Sequence, residues 1–137
     1  MMNARARSFV DHLDVRVRDI GRARVFYDAF CAALGLTRIT ESDGCLVYGY
    51  ADRYDSFLAI DADPQFQPNR TRIAFRAASR SEVDRIAAVA ARSGAVKFEP
   101  PHLCTEYTPD YYASFFSDPD GNDYEVCYRS PAGDYSE

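Results

Sequence analysis

Apolar and polar residues alternate through residues 9–17: Leu13, Val15 and Val17 fall on one side, with His12, Asp14 and Arg16 between them. Period two predicts a strand with one face on a core. The period then changes. Ala23, Phe26, Tyr27, Phe30, Ala33 and Leu34 recur at three- and four-residue spacing. This predicts an amphipathic helix from about Gly21, capped by Asp19 and closed by Gly35. Residues 37–41 and 45–50 read as strands across a Ser42-Asp43-Gly44 turn, and residues 56–61 as a further strand.

The same order then repeats. After a proline-containing, polar stretch (63–70), residues 71–77 alternate again as RIAFRA at 72–77. A helix follows, capped by Ser79 or Ser81, with Val83, Ile86, Ala87, Val89 and Ala90 on one face and Gly94 at its end. Residues 96–98 read as a short strand, and residues 99–110, with Pro100, Pro101 and Pro109, as a long loop. Residues 111–116 and 122–129 form a hairpin across Asp118-Pro119-Asp120-Gly121, a turn-forming sequence.

The chain is therefore βαβββ twice, with HLDVRV at 12–17 matched sixty positions later and His12 aligned with Arg72. One domain over residues 1–137 is expected, with modules at about 8–62 and 71–130. The fold class is α+β. Neither module buries its helix and sheet alone, so the two should join in a curved mixed β-sheet around a cleft, helices outside. Strict alternation then lines the inside of the curve with His12, Asp14, Arg16, Arg72, Arg76, Glu125 and Cys127.

Charge and composition narrow the function. A net charge of −5, with arginines interleaved among acids, offers no basic stripe for nucleic acid. No stretch reaches the roughly 18 apolar residues of a membrane span, and the basic N-terminus has no apolar segment behind it. A cytoplasmic protein is expected, with neither nucleic-acid nor membrane partners. Cys31, Cys45, Cys104 and Cys127 lack zinc-site spacing and read as free thiols. No serine or cysteine nucleophile arrangement and no Gly-rich phosphate loop is present.

The segments DHLDVRVRDIGRARVFYDAFCAALGL, RIAFRAASRSEVDRIAAVAARSGA and YYASFFSDPDGNDYEV resemble the vicinal oxygen chelate superfamily, which includes glyoxalase I, extradiol dioxygenases and bleomycin-resistance proteins. The likeness spans most of the chain. It rests on the helix ending FY…LGL together with DPDGN and a Glu-bearing last strand.

That resemblance implies a divalent metal (Fe, Mn, Ni or Zn) held by a first-strand His, a second His opening module two, and a last-strand Glu. His12 and Glu125 match the first and last, with Glu125 also the catalytic candidate. Arg72 departs from the pattern, because a guanidinium has no lone pair to donate. A fourth ligand, where relatives take one from module one, falls to Asp61; His102 is a further donor.

Two readings stay open. One is a metal-dependent lyase, isomerase or dioxygenase. The other is a metal-free small-molecule binder in which Arg72 pairs with Glu125. In either, Arg72 and Arg76 can hold an anionic group, Tyr107 and Tyr112 can supply contacts, and residues 99–110 can serve as a lid. A homodimer is expected from the open sheet edges.

Overall fold

The computed structural model describes residues 8–53 and 55–130. Module one comprises β1 (His12–Val17), α1 (Ile20–Ala33), β2 (Thr37–Ser42), β3 (Cys45–Gly49) and β4 (Phe57–Ala62). Module two comprises β5 (Arg72–Arg76), α2 (Arg80–Arg92), β6 (Val96–Leu103), β7 (Tyr112–Ser117) and β8 (Asp123–Tyr128). The expected βαβββ order is present twice. Each module forms its own four-stranded mixed sheet, in order β1-β4-β3-β2 and β5-β8-β7-β6. The β1–β4 and β5–β8 pairs are parallel and the others antiparallel.

Local chemistry sets the helix ends alike in both modules. The Asp19 side chain accepts from the Arg22 N–H at 3.1 Å, and Ser79 Oγ accepts from the Glu82 N–H at 3.1 Å. Each such cap stabilises its helix by about 1 kcal/mol. At the far end of α1, Leu36 N–H donates to Cys31 O and Gly35 N–H to Ala32 O. This closure requires the φ of 86° at Gly35.

One apolar core joins the modules. Val15 and Val17 of β1, Leu58 and Ile60 of β4, and Val83 and Ile86 of α2 are buried in it. Phe30 of α1 lies 5.5 Å from Phe75, 5.5 Å from Phe116 and 5.7 Å from Tyr124, all module-two rings. Alternation does the rest: the strand faces opposite this core carry the residues expected to line the inner surface.

A polar tie reinforces the union. Asp118 is fully buried and accepts from the Asp120 and Asn122 N–H groups, from Asn122 Nδ2 and from the Tyr27 hydroxyl. Tyr27 Oη also lies 2.7 Å from Tyr124 Oη. Asp120 accepts from the Arg18 N–H at 2.9 Å and ion-pairs with Arg18 and Arg22. Asn122 Nδ2 donates to Arg16 O at 2.9 Å. The DPDGN turn thus closes the β7–β8 hairpin and also grips the β1–α1 junction of the other module.

The segment 99–110 departs from the expected long loop. β6 runs through Pro100 and Pro101 to Leu103. The prolines are tolerated because β6 is an edge strand, pairing only with β7, so the missing N–H groups break no second ladder. Register shifts interrupt the pairing, and Lys97 takes a φ of 52° at one of them. What remains, residues 104–111, is a closed turn with Cys104 N–H donating to Tyr111 O at 2.6 Å and Tyr107 N–H to Cys104 O at 3.1 Å.

Candidate functional site

Because β1 pairs only with β4 and β5 only with β8, each sheet presents one free edge toward the other module. Between them lies a cleft of about 450 Å³. Leu13, Leu36, Phe57, Ile73 and Phe75 give it apolar walls, and His12 and Arg72 stand in the lining, one from each module. A more polar cavity of about 250 Å³ adjoins the same strands, lined by Asp14, Arg16, Thr71, Asn122 and Asp123 among others.

The His12 ring stacks on Phe57, its partner in the parallel register, with centroids 4.5 Å apart and planes 1° from parallel. Its Nδ1 lies 2.8 Å from Asp11 Oδ1 and its Nε2 3.8 Å from Asp14 Oδ2. The hydrogen bond with Asp11 raises the imidazole pKa above its ordinary value; desolvation opposes this and the charges of Asp14 and Asp11 add to it. Arg72 lies over the Phe115 ring, 5.0 Å from its centroid. Its guanidinium also lines a polar cavity of about 200 Å³ with Lys97, Glu99 and Asp123.

Glu125 is 6% exposed and accepts from the Tyr111 hydroxyl. Its register partners are Ala74 on β5 and Phe115 on β7. Arg72 is paired instead with Asp123. Among the described residues no ion pair joins Arg72 to Glu125. Arg76 lines a separate cavity of about 180 Å³ with Ala74, Tyr111, Cys127 and Arg129. Burial pushes the Cys127 thiol pKa up, which disfavours the thiolate there.

The tyrosines divide. Tyr112 faces the helix side: its hydroxyl donates to Asp84 on α2 at 2.6 Å, and Arg80 lies over its ring. Strand parity takes it out of the cleft. Tyr107 is 56% exposed on the 104–111 turn, its ring 5.0 Å from Tyr111. His102 is exposed on β6, its Nδ1 2.9 Å from Pro100 O. Neither Tyr107 nor His102 lines the cleft.

The donor set does not fit a metal centre. Among the described residues no group of three His, Cys, Asp or Glu side chains is gathered as ligands. The parallel registers give the reason. Glu125 stands across from Ala74 on β5, and the matching place in module one, across from Asp14 on β1, is Ala59. Asp61 lies two residues further on, where Arg16 holds it in an ion pair at 3.1 Å. Where a second His is implied, the chain has Arg72.

The family model for the Glyoxalase/Bleomycin resistance protein/Dioxygenase superfamily matches residues 9–126. This chain belongs to that superfamily. Solved structures share the fold. A glyoxalase/bleomycin resistance protein from Albidiferax ferrireducens T118 is 23% identical, with a TM-score of 0.75 over 90% of this chain and 100% of that one. A glyoxalase-related enzyme from Fulvimarina pelagi is 15% identical, with a TM-score of 0.70 over 88% and 87%. A bleomycin-binding protein complexed with bleomycin is 16% identical, with a TM-score of 0.62 over 93% and 100%. No curated protein matches the chain.

Sequence reasoning named His12 and Arg72, which both line this cleft, and grouped Asp14, Arg16, Arg76, Glu125 and Cys127 with them, which do not line it. It missed Phe57, Leu36 and Phe75, which shape that cleft, and Phe115, which supports Arg72. It also missed the Tyr111 hydroxyl on Glu125. Alternation along β5 puts Phe75 on the face opposite Arg72, so it gave no sign that both would line one cleft. The partners of His12 and Arg72 depend on parallel registers, which no local pattern encodes.

Proposed function

We propose that this superfamily member binds a small organic molecule in the cleft between its modules, without a metal. The observation that carries the reading is the cleft itself: apolar walls from both modules, with Arg72 in the lining at the position where the superfamily pattern implies a second His. Its volume suits a small-molecule site. A structural relative bound to bleomycin supports the same use of the fold. Arg72 is the primary substrate-binding residue and Arg76, in the adjoining cavity, a secondary one; Tyr107 and Tyr112 drop out of this role. A cytoplasmic setting, in keeping with four free thiols, is part of the reading.

A second reading follows from Glu125. His12 and Glu125 both lie on faces turned away from the helices, so a second copy of the chain could bring one protomer's His12 toward its partner's carboxylate. A homodimer would then be the metal-dependent form, a lyase, isomerase or dioxygenase. Metal content after purification, followed by calorimetric titration with iron, manganese, nickel and zinc, separates the two. We expect no saturable binding below millimolar, and light scattering reports whether the protein is dimeric during the titration. Tight binding abolished by Glu125→Ala would replace the first reading with the second.

A further inference from the structure

The cleft carries more information than its volume, since several of its polar side chains can be followed to a partner. Tyr48 donates its hydroxyl to Asp28 at 2.8 Å. Tyr50 is covered by Arg53, whose guanidinium carbon lies 3.9 Å from the ring centroid and which pairs with Asp55. Asp11 is engaged by His12. Arg72 differs from all of these. It is exposed, it rests on Phe115, and among the described residues no carboxylate lies within ion-pair distance of it. In module one, by contrast, Arg16, Arg24 and Arg38 all have acidic partners.

Resting on the small-molecule reading above, we infer that the ligand is an amphiphilic anion. Its ring-bearing apolar body would fill the space between Leu13, Leu36, Phe57, Ile73 and Phe75, and its oxyanion would be held by Arg72 with His12 alongside. The chemistry follows from the inventory. A cationic ligand would need an uncommitted carboxylate in the cleft, and Asp11, the carboxylate in its lining, is already bound by His12. A neutral ligand would make no use of the charge that Arg72 places in the lining. A carboxylate, sulfonate or phosphonate matches the guanidinium fork bidentately. Stacking on Phe115 orders that fork before the ligand arrives, which lowers the entropy lost on binding.

The test pairs two dyes of similar body and different charge: anionic 1-anilinonaphthalene-8-sulfonate and neutral N-phenyl-1-naphthylamine. Fluorescence titrations would be run on the wild type and on Arg72→Gln, Ala74→Phe and Arg92→Gln. Ala74 lines the cleft, so a phenyl group there occupies part of it; Arg92 lies at the end of α2 and controls for net charge. Saturable one-to-one binding of the sulfonate is expected. Arg72→Gln should weaken it roughly tenfold or more, the loss of one charge-assisted contact, with the neutral dye unchanged. Ala74→Phe should weaken both dyes, and Arg92→Gln neither.

If Arg72→Gln leaves the sulfonate unaffected, or weakens both dyes alike, anion recognition is overturned while the cleft remains a binding site. If neither dye saturates, or Ala74→Phe changes nothing, the cleft reading itself falls and this inference with it. Near-ultraviolet circular dichroism of each variant shows that the fold is intact, and partial recovery by Arg72→Lys would identify charge as the operative property.

Discussion

Two regions join the modules of this protein, and they are built on opposite terms. At the DPDGN turn, polar groups are buried and matched: Asp118 collects four donors and Asp120 collects Arg18 and Arg22. At the cleft, the walls are apolar, and exposed Arg72, whose guanidinium carbon lies 5.0 Å over the Phe115 ring, has no carboxylate within ion-pair distance among the described residues. Buried polarity that is fully satisfied specifies one arrangement of the chain. A solvent-exposed guanidinium at an open, apolar cleft adds little to the fold and stays available to a ligand. The contrast assigns structure to the first region and recognition to the second.

That contrast can be broken most severely with base. Burial raises the Tyr27 and Tyr124 phenol pKa values well above their ordinary value of 10.0, and burial raises the Cys31 thiol likewise. Groups with raised folded-state pKa values contribute stability that is full below the unfolded values and is lost as pH rises past them. The folded core holds these groups neutral while the unfolded chain ionises. Stability should therefore fall progressively from about pH 9 and steeply above pH 10. Urea midpoints at pH 8 and pH 10.5 measure this; equal midpoints would show that the Tyr27–Tyr124 contact tolerates charge.

Next in size is Asp118→Ala, which strands several buried neutral donors and should cost roughly 3 to 5 kcal/mol, at about 1 to 3 kcal/mol for each donor left without a partner. The loss should appear in the urea midpoint and in faster amide exchange at both β8 and α1, since the tie spans the modules. Exchange confined to the hairpin would reduce Asp118 to a turn residue. Tyr27→Phe removes one hydroxyl from the same carboxylate and should cost about 1.5 to 3 kcal/mol. A change under 0.5 kcal/mol would mean that Tyr124 or water replaces it.

The smallest effects belong to the open faces. Arg72→Ala should leave stability within about 0.5 kcal/mol, as for other exposed substitutions. A loss as large as that of Tyr27→Phe would make Arg72 part of the scaffold and erase the contrast. Arg16→Ala breaks an ion pair whose side chains are 48% and 30% exposed, and should also change stability by less than about 1 kcal/mol.

The two modules add a second lesson about the repeat. Their backbones match, down to the parallel β1–β4 and β5–β8 pairs. Their open faces do not. Module one offers His12, Asp14 and Arg16 beside Phe57, Ala59 and Asp61, whereas module two offers Arg72, Ala74 and Arg76 beside Asp123, Glu125 and Cys127. The two modules share the hydrophobic pattern, which folding requires, and differ on the opposite face.

Much of this was legible in order along the chain. Alternation put His12 and Arg72 on the strand faces opposite Leu13 and Ile73, and caps and C-terminal glycines bounded both helices to within a residue or two. The superfamily followed from the same segments. Residues 99–103 were misjudged because prolines signal loops unless the strand is an edge, and edge status belongs to the sheet. Tyr112 was placed in the cleft because a tyrosine in an alternating strand has no local marker of which face it takes.

The sequence alone determined the modules, their helices and which strand positions share a face, because those depend on periods of two and 3.6 residues and on capping chemistry within a few positions. Tertiary structure alone decided that Glu125 lies under Tyr111 rather than beside Arg72, and that Asp61 belongs to Arg16. It also decided that a turn in module two clasps the start of module one. These are meetings of groups from 14 to more than 100 residues apart, set by register and by how two sheets share one core, and no local pattern records such a distance.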